Sequence, residues 1–260
     1  MIFVTHLLGF AGDYESLMNL FPNAIIIDDV CESHGCKYGK WKVGTKSLGA
    51  TFSFYFGHHM STIEGGMIST SNHDLYDLMK MKRGHGLARE SVNFDAYAER
   101  YKDIDKQFLF MTDGYNFRNH EIPAVLGLSQ LKRLDSMIEQ RRQNYKKFIN
   151  IVNKYPALFY RMNENPGNSS FCLPFICKQK NTMNELKELF TKHGIEYRPI
   201  VSGNLLKQPF LKKYSLKHSN NVDVLHSNGV YIGNSHFVND SHMEQLSQLL
   251  KDYYANKKRL

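Results

Sequence analysis

Apolar runs of bilayer length are missing from this 260-residue sequence, and so is a basic start followed by a long apolar core. A membrane-spanning helix needs about 20 predominantly apolar residues, and a secretory leader needs that basic-then-apolar start. The expectation is a soluble, cytoplasmic protein with no membrane partner. Cysteine is scarce: Cys31, Cys36, Cys172 and Cys177 are the full set. Neither pair has the Cys-x-x-Cys spacing of a common zinc site, so buried, reduced thiols and no metal are expected. Internal repeats and low-complexity tracts are absent. With 42% hydrophobic and 22% charged residues, the composition excludes disordered and collagen-like chains. The net charge is +8, but the basic residues are spread along the chain apart from Lys257-Lys258-Arg259. No DNA- or RNA-binding signature accompanies them. Positive charge of this kind also attracts a phosphorylated small molecule, and no nucleic-acid partner is expected. The basic tail reads as a solvated helix end.

What is present is a mixture of strands and helices, in a chain long enough for one or two domains. Residues 2–6 read as a strand. Residues 13–20 read as a short helix with Leu17 and Leu20 on one face. Ala24-Ile-Ile-Ile27 is a continuous apolar run ending in Asp28-Asp29, the pattern of a buried parallel strand. In open α/β sheets ligands gather at the carboxyl ends of strands, so both acids are placed for function; capping the next segment is the plainer alternative. Thr51, Ser53 and Tyr55 alternate with Phe52, Phe54 and Phe56, a half-buried strand. Residues 67–70 form another strand, and residues 72–83 a helix. Residues 88–112 show little periodicity and read as a long irregular loop, of a length often tied to function.

From about Glu121, Leu128, Leu131, Leu134 and Ile138 recur at helical spacing. This long helix links two lobes, with the boundary between residues 135 and 136. The second lobe is expected to hold strands at 170–177, 196–200 and 229–232, with helices at 182–193 and 241–254. That mixture suggests an α+β lobe.

Five side chains near strand ends are candidates for chemistry. A pyridine ring is a better electron sink when its nitrogen is protonated, and a buried carboxylate keeps the proton there. Asp29, ending an apolar strand, suits that task. Glu32 faces the same ligand if Asp29 does, and Ser53 suits a phosphate. His58 and His59 follow Ser53, ahead of a Glu64-Gly-Gly66 turn. Taken singly, each has an equally good structural explanation.

The combination is more specific. Ile25-Ile-Ile-Asp-Asp-Val-Cys-Glu-Ser-His-Gly35, Thr51-Phe-Ser-Phe54 through Glu64-Gly-Gly66, Arg83-Gly-His-Gly86 and Gly114-Tyr-Asn-Phe-Arg-Asn-His-Glu-Ile-Pro-Ala124 occur in that order. Together they resemble the DegT/DnrJ/EryC1/StrS family of pyridoxal-phosphate sugar enzymes, over essentially the whole chain. The resemblance implies an α/β protein with an aspartate-aminotransferase (fold type I) large domain lacking its N-terminal part, residues 1–135. The linking helix and a small α+β C-terminal domain follow, residues 136–260.

Most members carry lysine five residues after the serine; here that residue is His58. Histidine there resembles the branch that removes the C3 hydroxyl of a nucleotide-linked 4-keto-6-deoxy sugar. Gly194-Ile-Glu-Tyr-Arg-Pro-Ile-Val-Ser-Gly-Asn-Leu-Leu-Lys-Gln-Pro209 is similar to a second segment of that branch. One such dehydratase type holds an iron–sulfur cluster through clustered cysteines, but no cysteine lies between Cys36 and Cys172. The better match is the metal-free type acting on GDP-4-keto-6-deoxymannose, which leads to colitose.

By resemblance, the cofactor is pyridoxal 5'-phosphate, used as pyridoxamine 5'-phosphate, and glutamate is the amino donor. His58 is the catalytic base, Asp29 meets the pyridine nitrogen, Glu32 the ring hydroxyl and Ser53 the phosphate. Asn116 reaches the phosphate of the neighbouring subunit's cofactor, which implies a homodimer. His59 is expected to point away, and His85 and Arg118 are further candidates to line the site.

Members of the family also begin well before the residue matching Met1. The earlier part supplies strands, a phosphate-binding turn and a stacking aromatic ring. Three readings follow: a split enzyme completed by a polypeptide supplying that segment, a shortened enzyme with a rearranged pocket, or a remnant without catalysis. A non-catalytic scaffold is opposed by the retained His58, Asp29, Glu32, Ser53 and Asn116. A sugar aminotransferase is opposed by the absent lysine.

Overall fold

The computed structural model of the chain describes residues 1–217 and 219–258; Arg259, the last of the basic tail, lies outside the described residues. The chain divides into two compact units. One is Met1–Leu7 with Ala11–Leu134, and the other is Leu8–Phe10 with the chain from Asp135 onward.

The first unit runs through β1 (Ile2–Thr5), α1 (Tyr14–Leu20), β2 (Ile26–Asp29), the short pair β3 (Lys37–Tyr38) and β4 (Trp41–Lys42), and β5 (Gly49–Ser53). Then follow β6 (Gly66–Ser69), α2 (His73–Arg83), α3 (Phe94–Arg100) and the start of α4 (Glu121–Val152). The main sheet has the order β1-β2-β5-β6, with the first three strands parallel and β6 antiparallel. The apolar run read from the sequence becomes β2, but the strand starts at Ile26 and takes in both acids. Its register sets Asp29 opposite Thr5 on one side and Thr51 on the other. Side chains alternate between faces along a strand. Asp29, Thr51 and Ser53 therefore share one face of the sheet. Asp28, Ala50 and Phe52 share the other, where Val30, Cys36 and Val43 close a small core against Ala50.

Helix starts follow their caps. Asp13 accepts from the Ser16 amide at 3.1 Å and Asn72 from the Leu75 amide at 2.8 Å, each satisfying an orphan donor of the first turn. The short helix expected at residues 13–20 is present as α1, though none of its residues is buried and Leu20 is 70% exposed. Leu128 and Leu131 of α4 are likewise exposed, whereas Met137 and Ile138 are buried.

Residues 88–112 are more ordered than the expected irregular loop. They hold α3 and two single-turn helices, Ala88–Glu90 and Lys106–Phe108. None of α3 is buried, so no hydrophobic period marks it. A polar anchor does the holding: the buried Asp77 carboxylate accepts from Ser91 Oγ at 2.6 Å and from the Val92 amide at 2.8 Å. Asp77→Ala should lower stability by about 2 kcal/mol, since it leaves a buried hydroxyl unpaired; urea unfolding checks this.

The second unit takes the rest of α4, then β7 (Cys172–Ile176), α5 (Lys180–Lys192), β8 (Tyr197–Pro199), α6 (Asn220–Asn228), β9 (Gly229–Gly233) and α7 (Asp240–Lys257). Its sheet is antiparallel with the order β7-β9-β8. Pro174 sits on the edge strand β7, where its missing N–H is tolerated. α5 buries Met183, Leu186 and Phe190 at helical spacing. Phe148, Phe159, Phe175 and Phe190 form the centre of the core. α6 was not expected from the sequence, and none of its residues is buried. Among the described residues, no helix is long and apolar enough to cross a membrane.

Candidate active site

Asp29, Ser53 and His58 gather at the carboxyl ends of β2 and β5. Asp29 ends β2, and its pairing partner Thr51 lies two residues before Ser53 on the adjacent parallel strand. Adjacent strands run about 4.8 Å apart, so the carboxylate and the hydroxyl sit on one face of neighbouring strands. Asp29 is half-buried, and its Oδ1 accepts from the Cys31 amide at 3.0 Å. Burial first, and then the Asp29 carboxylate, push the Cys31 thiol up to about 12. Cys31 is thus a neutral neighbour rather than a reactive thiolate. Glu32 is half-buried on the turn after β2, which the Ser33 amide closes by donating to the Val30 carbonyl at 2.9 Å.

Ser53 Oγ accepts from the Tyr55 amide at 3.3 Å. Its chain neighbours lead into a turn that the His58 amide closes on the Tyr55 carbonyl at 3.0 Å. His58 is half-buried; its Nδ1 lies 3.3 Å from the Ser53 carbonyl, and its ring meets Tyr55 edge-on at 5.7 Å. A carbonyl only accepts, so Nδ1 carries the proton and the neutral ring has its lone pair at Nε2. His59 is 3% exposed and packs 5.7 Å from the His34 ring. The two histidines therefore occupy different environments, one half-exposed and one in the interior.

Asn116 is not brought to this cluster by its hydrogen bonds. It is exposed and bridges Gly84, and its Oδ1 accepts from Arg118 Nε at 3.4 Å. Arg118 Nη2 lies 3.0 Å from His85 Nε2. The turn is fixed by Gly86, whose φ is +85° and where a Cβ would lie 1.9 Å from the Thr112 carbonyl. His85, Asn116 and Arg118 thus form a second group.

Two features escaped the sequence. One is a cavity of about 1010 Å³ beside β5 and β6, lined by Thr51, Met67, Ile68, Lys82, Tyr115 and Arg118 among others. None of Asp29, Glu32, Ser53, His58 or Asn116 lines it. The other is a buried polar cluster of His6, Tyr14 and Asp28 behind β2. A histidine closing one apolar strand and an acid inside the next was the available signal.

A mixed sheet with a carboxylate, a serine and a histidine at its carboxyl ends, followed by an α+β unit, is the α/β architecture of fold type I enzymes. The chain belongs to the DegT/DnrJ/EryC1/StrS aminotransferase family, which matches residues 1–250. It is 32% identical to the GDP-4-keto-6-deoxy-D-mannose 3-dehydratase of Yersinia pseudotuberculosis, covering 96% of this chain and 66% of that protein. It is 26% identical to the GDP-perosamine synthase of Escherichia coli O157:H7, covering 98% and 66%. Among solved structures, the Escherichia coli GDP-4-keto-6-deoxy-D-mannose-3-dehydratase with bound hydrated PLP superposes with a TM-score of 0.86 at 29% identity, covering 96% and 66%. The chain thus spans about two thirds of the length of these relatives.

Proposed function

We propose that this chain serves the C3 dehydration of a nucleotide-linked 4-keto-6-deoxy sugar, GDP-4-keto-6-deoxymannose, with pyridoxal or pyridoxamine phosphate as cofactor. The observation that carries this reading is His58: it stands five residues after Ser53, against that residue's carbonyl at 3.3 Å. The donor set fits such a cofactor. A half-buried carboxylate and a serine hydroxyl share one face at the carboxyl ends of adjacent parallel strands.

The bound cofactor supplies an electron sink beside the sugar's C4. Asp29 would keep a proton on its pyridine nitrogen, Glu32 would meet its ring hydroxyl and Ser53 would donate to its phosphate. His58 takes a proton at Nε2 and returns one to the departing C3 hydroxyl, a give-and-take for which a neutral imidazole with one N–H and one lone pair is suited. A histidine cannot make the covalent imine that lysine makes with an aldehyde, so the aldehyde form is not held at residue 58.

Glutamate is the proposed amino donor and a homodimer the proposed assembly, with Asn116 reaching the neighbouring subunit's cofactor phosphate. The proposed setting is cytoplasmic deoxysugar synthesis leading to colitose for an O-antigen.

The direct test is incubation with GDP-4-keto-6-deoxymannose, glutamate and pyridoxamine phosphate. Ammonia release with a 3-deoxy product is expected. A 4-amino sugar would instead support an aminotransferase, the reading favoured by the likeness to GDP-perosamine synthase. Cofactor binding without turnover would support a non-catalytic member or one half of a split enzyme. His58→Lys should further give a visible absorbance band, red-shifted from free cofactor, on addition of pyridoxal phosphate. A folded variant without that band would remove His58 from the lysine position.

A further inference from the structure

We infer that His6, Tyr14 and Asp28 are positioning residues for the Asp29 carboxylate and for the turn that carries Glu32. The inference rests on the reading of Asp29 as the carboxylate that meets the pyridine nitrogen. His6 and Asp28 are both 0% exposed, and such groups persist in a fold only when partnered.

The partners define a proton pattern. The Gly12 amide donates to His6 Nδ1 at 3.0 Å. A backbone N–H only donates, so Nδ1 is unprotonated and the neutral ring carries its hydrogen on Nε2. That Nε2 lies 3.2 Å from Asp28 Oδ1 and 3.1 Å from the Tyr14 hydroxyl oxygen. Tyr14 donates its own proton to Asp28 Oδ2, which also accepts from the Gly44 amide at 2.9 Å. Asp28 Oδ1 makes no well-formed hydrogen bond among the described residues; the imidazole 3.2 Å away faces it, and Ser47 also hydrogen-bonds the carboxylate. One carboxylate thereby ties the end of β1, the first turn of α1 and the loop at Gly44 to the middle of β2. Burial pushes the Asp28 carboxyl upward, but hydrogen bonds from His6 and Tyr14 outweigh it and hold the group below its ordinary value.

The same histidine brackets the candidate site with its main chain. Its amide donates to the Asp29 carbonyl at 3.0 Å, and its carbonyl accepts from the buried Ser33 hydroxyl. Asp29 and Ser33 are the two ends of the segment that holds Glu32. Inside that segment the Cys31 amide donates to Asp29 Oδ1 at 3.0 Å. This amide therefore reports the orientation of the Asp29 side chain. Packing alone would fix neither the tautomer of His6 nor the ends of this turn.

The experiment uses the full chain labelled with nitrogen-15. Wild-type His6 should show the neutral Nε2–H tautomer, and the Cys31 amide should be protected from exchange. Tyr14→Phe keeps the ring and removes the donor to Asp28. Asp28→Asn keeps the shape and removes the charge, so one variant serves if the other fails to fold. Each folded variant should exchange the Cys31 amide faster and bind pyridoxamine phosphate about tenfold more weakly. Tyr38→Phe, whose hydroxyl bonds the exposed Asp13, should change neither readout. Unchanged Cys31 exchange in a folded Tyr14→Phe or Asp28→Asn protein overturns the inference. If the wild-type chain fails to bind pyridoxamine phosphate, the reading of Asp29 fails, while tautomer and exchange still decide the positioning role.

Discussion

His58→Asn is expected to slow the proposed dehydration by about 10²- to 10⁴-fold, the usual contribution of a positioned general acid–base. Asparagine places an amide N–H where His58 Nδ1 now sits, 3.3 Å from the Ser53 carbonyl, so the local turn should survive. It cannot accept a proton and return it. Pyridoxamine phosphate affinity should therefore change little, because the proposed binding groups, Asp29, Glu32 and Ser53, are untouched. The loss should appear in single-turnover release of the 3-deoxy product and not in the binding titration. His59 offers no substitute: it is 3% exposed and packs against the His34 ring at 5.7 Å. A rate within about tenfold of wild type would show that the proton is carried elsewhere.

What could be read in the sequence followed from local pattern. β2 was legible because a short apolar run ending in acids has few other uses in an α/β chain. The five-residue offset of His58 from Ser53 is a matter of counting, and what His58 does there is the proposal made above. The α4 stripe was legible as a helix but misleading about burial, since Leu128 and Leu131 are exposed; periodicity reveals an apolar face and not what covers it. α3 and α6 were illegible for the converse reason: neither buries a residue, so neither has a face to detect. The cluster behind β2 was hidden because it depends on register. Val4 pairs with Asp28 and Thr5 with Asp29, and only that alignment brings His6, Tyr14 and Asp28 together from separate segments. A one-residue slip would exchange the faces of Asp28 and Asp29, so the register also decides which acid reaches the site and which is buried behind it.

Phe175→Ala should be the most damaging single truncation in the second unit, at about 3–5 kcal/mol. Phe175 is 0% exposed near the end of β7. Its ring centroid lies 4.9 Å from that of Phe148, 5.6 Å from Phe159 and 5.4 Å from Phe190. Truncation removes the contacts that α4, β7 and α5 share, and three rigid rings leave little freedom to collapse into the space. The Phe148 contact is edge-on at 89°, a geometry worth about 0.5–1.5 kcal/mol beyond area burial. Phe175→Leu refills most of the volume and should cost less than half as much, but it loses that edge-on term. The double variant with Phe148→Ala should then fall short of the sum of the single losses, because the two rings share one contact. Urea unfolding followed by far-ultraviolet circular dichroism reads all four proteins. Strict additivity would mean that the rings fill space independently, and that the core of this unit is held by volume alone.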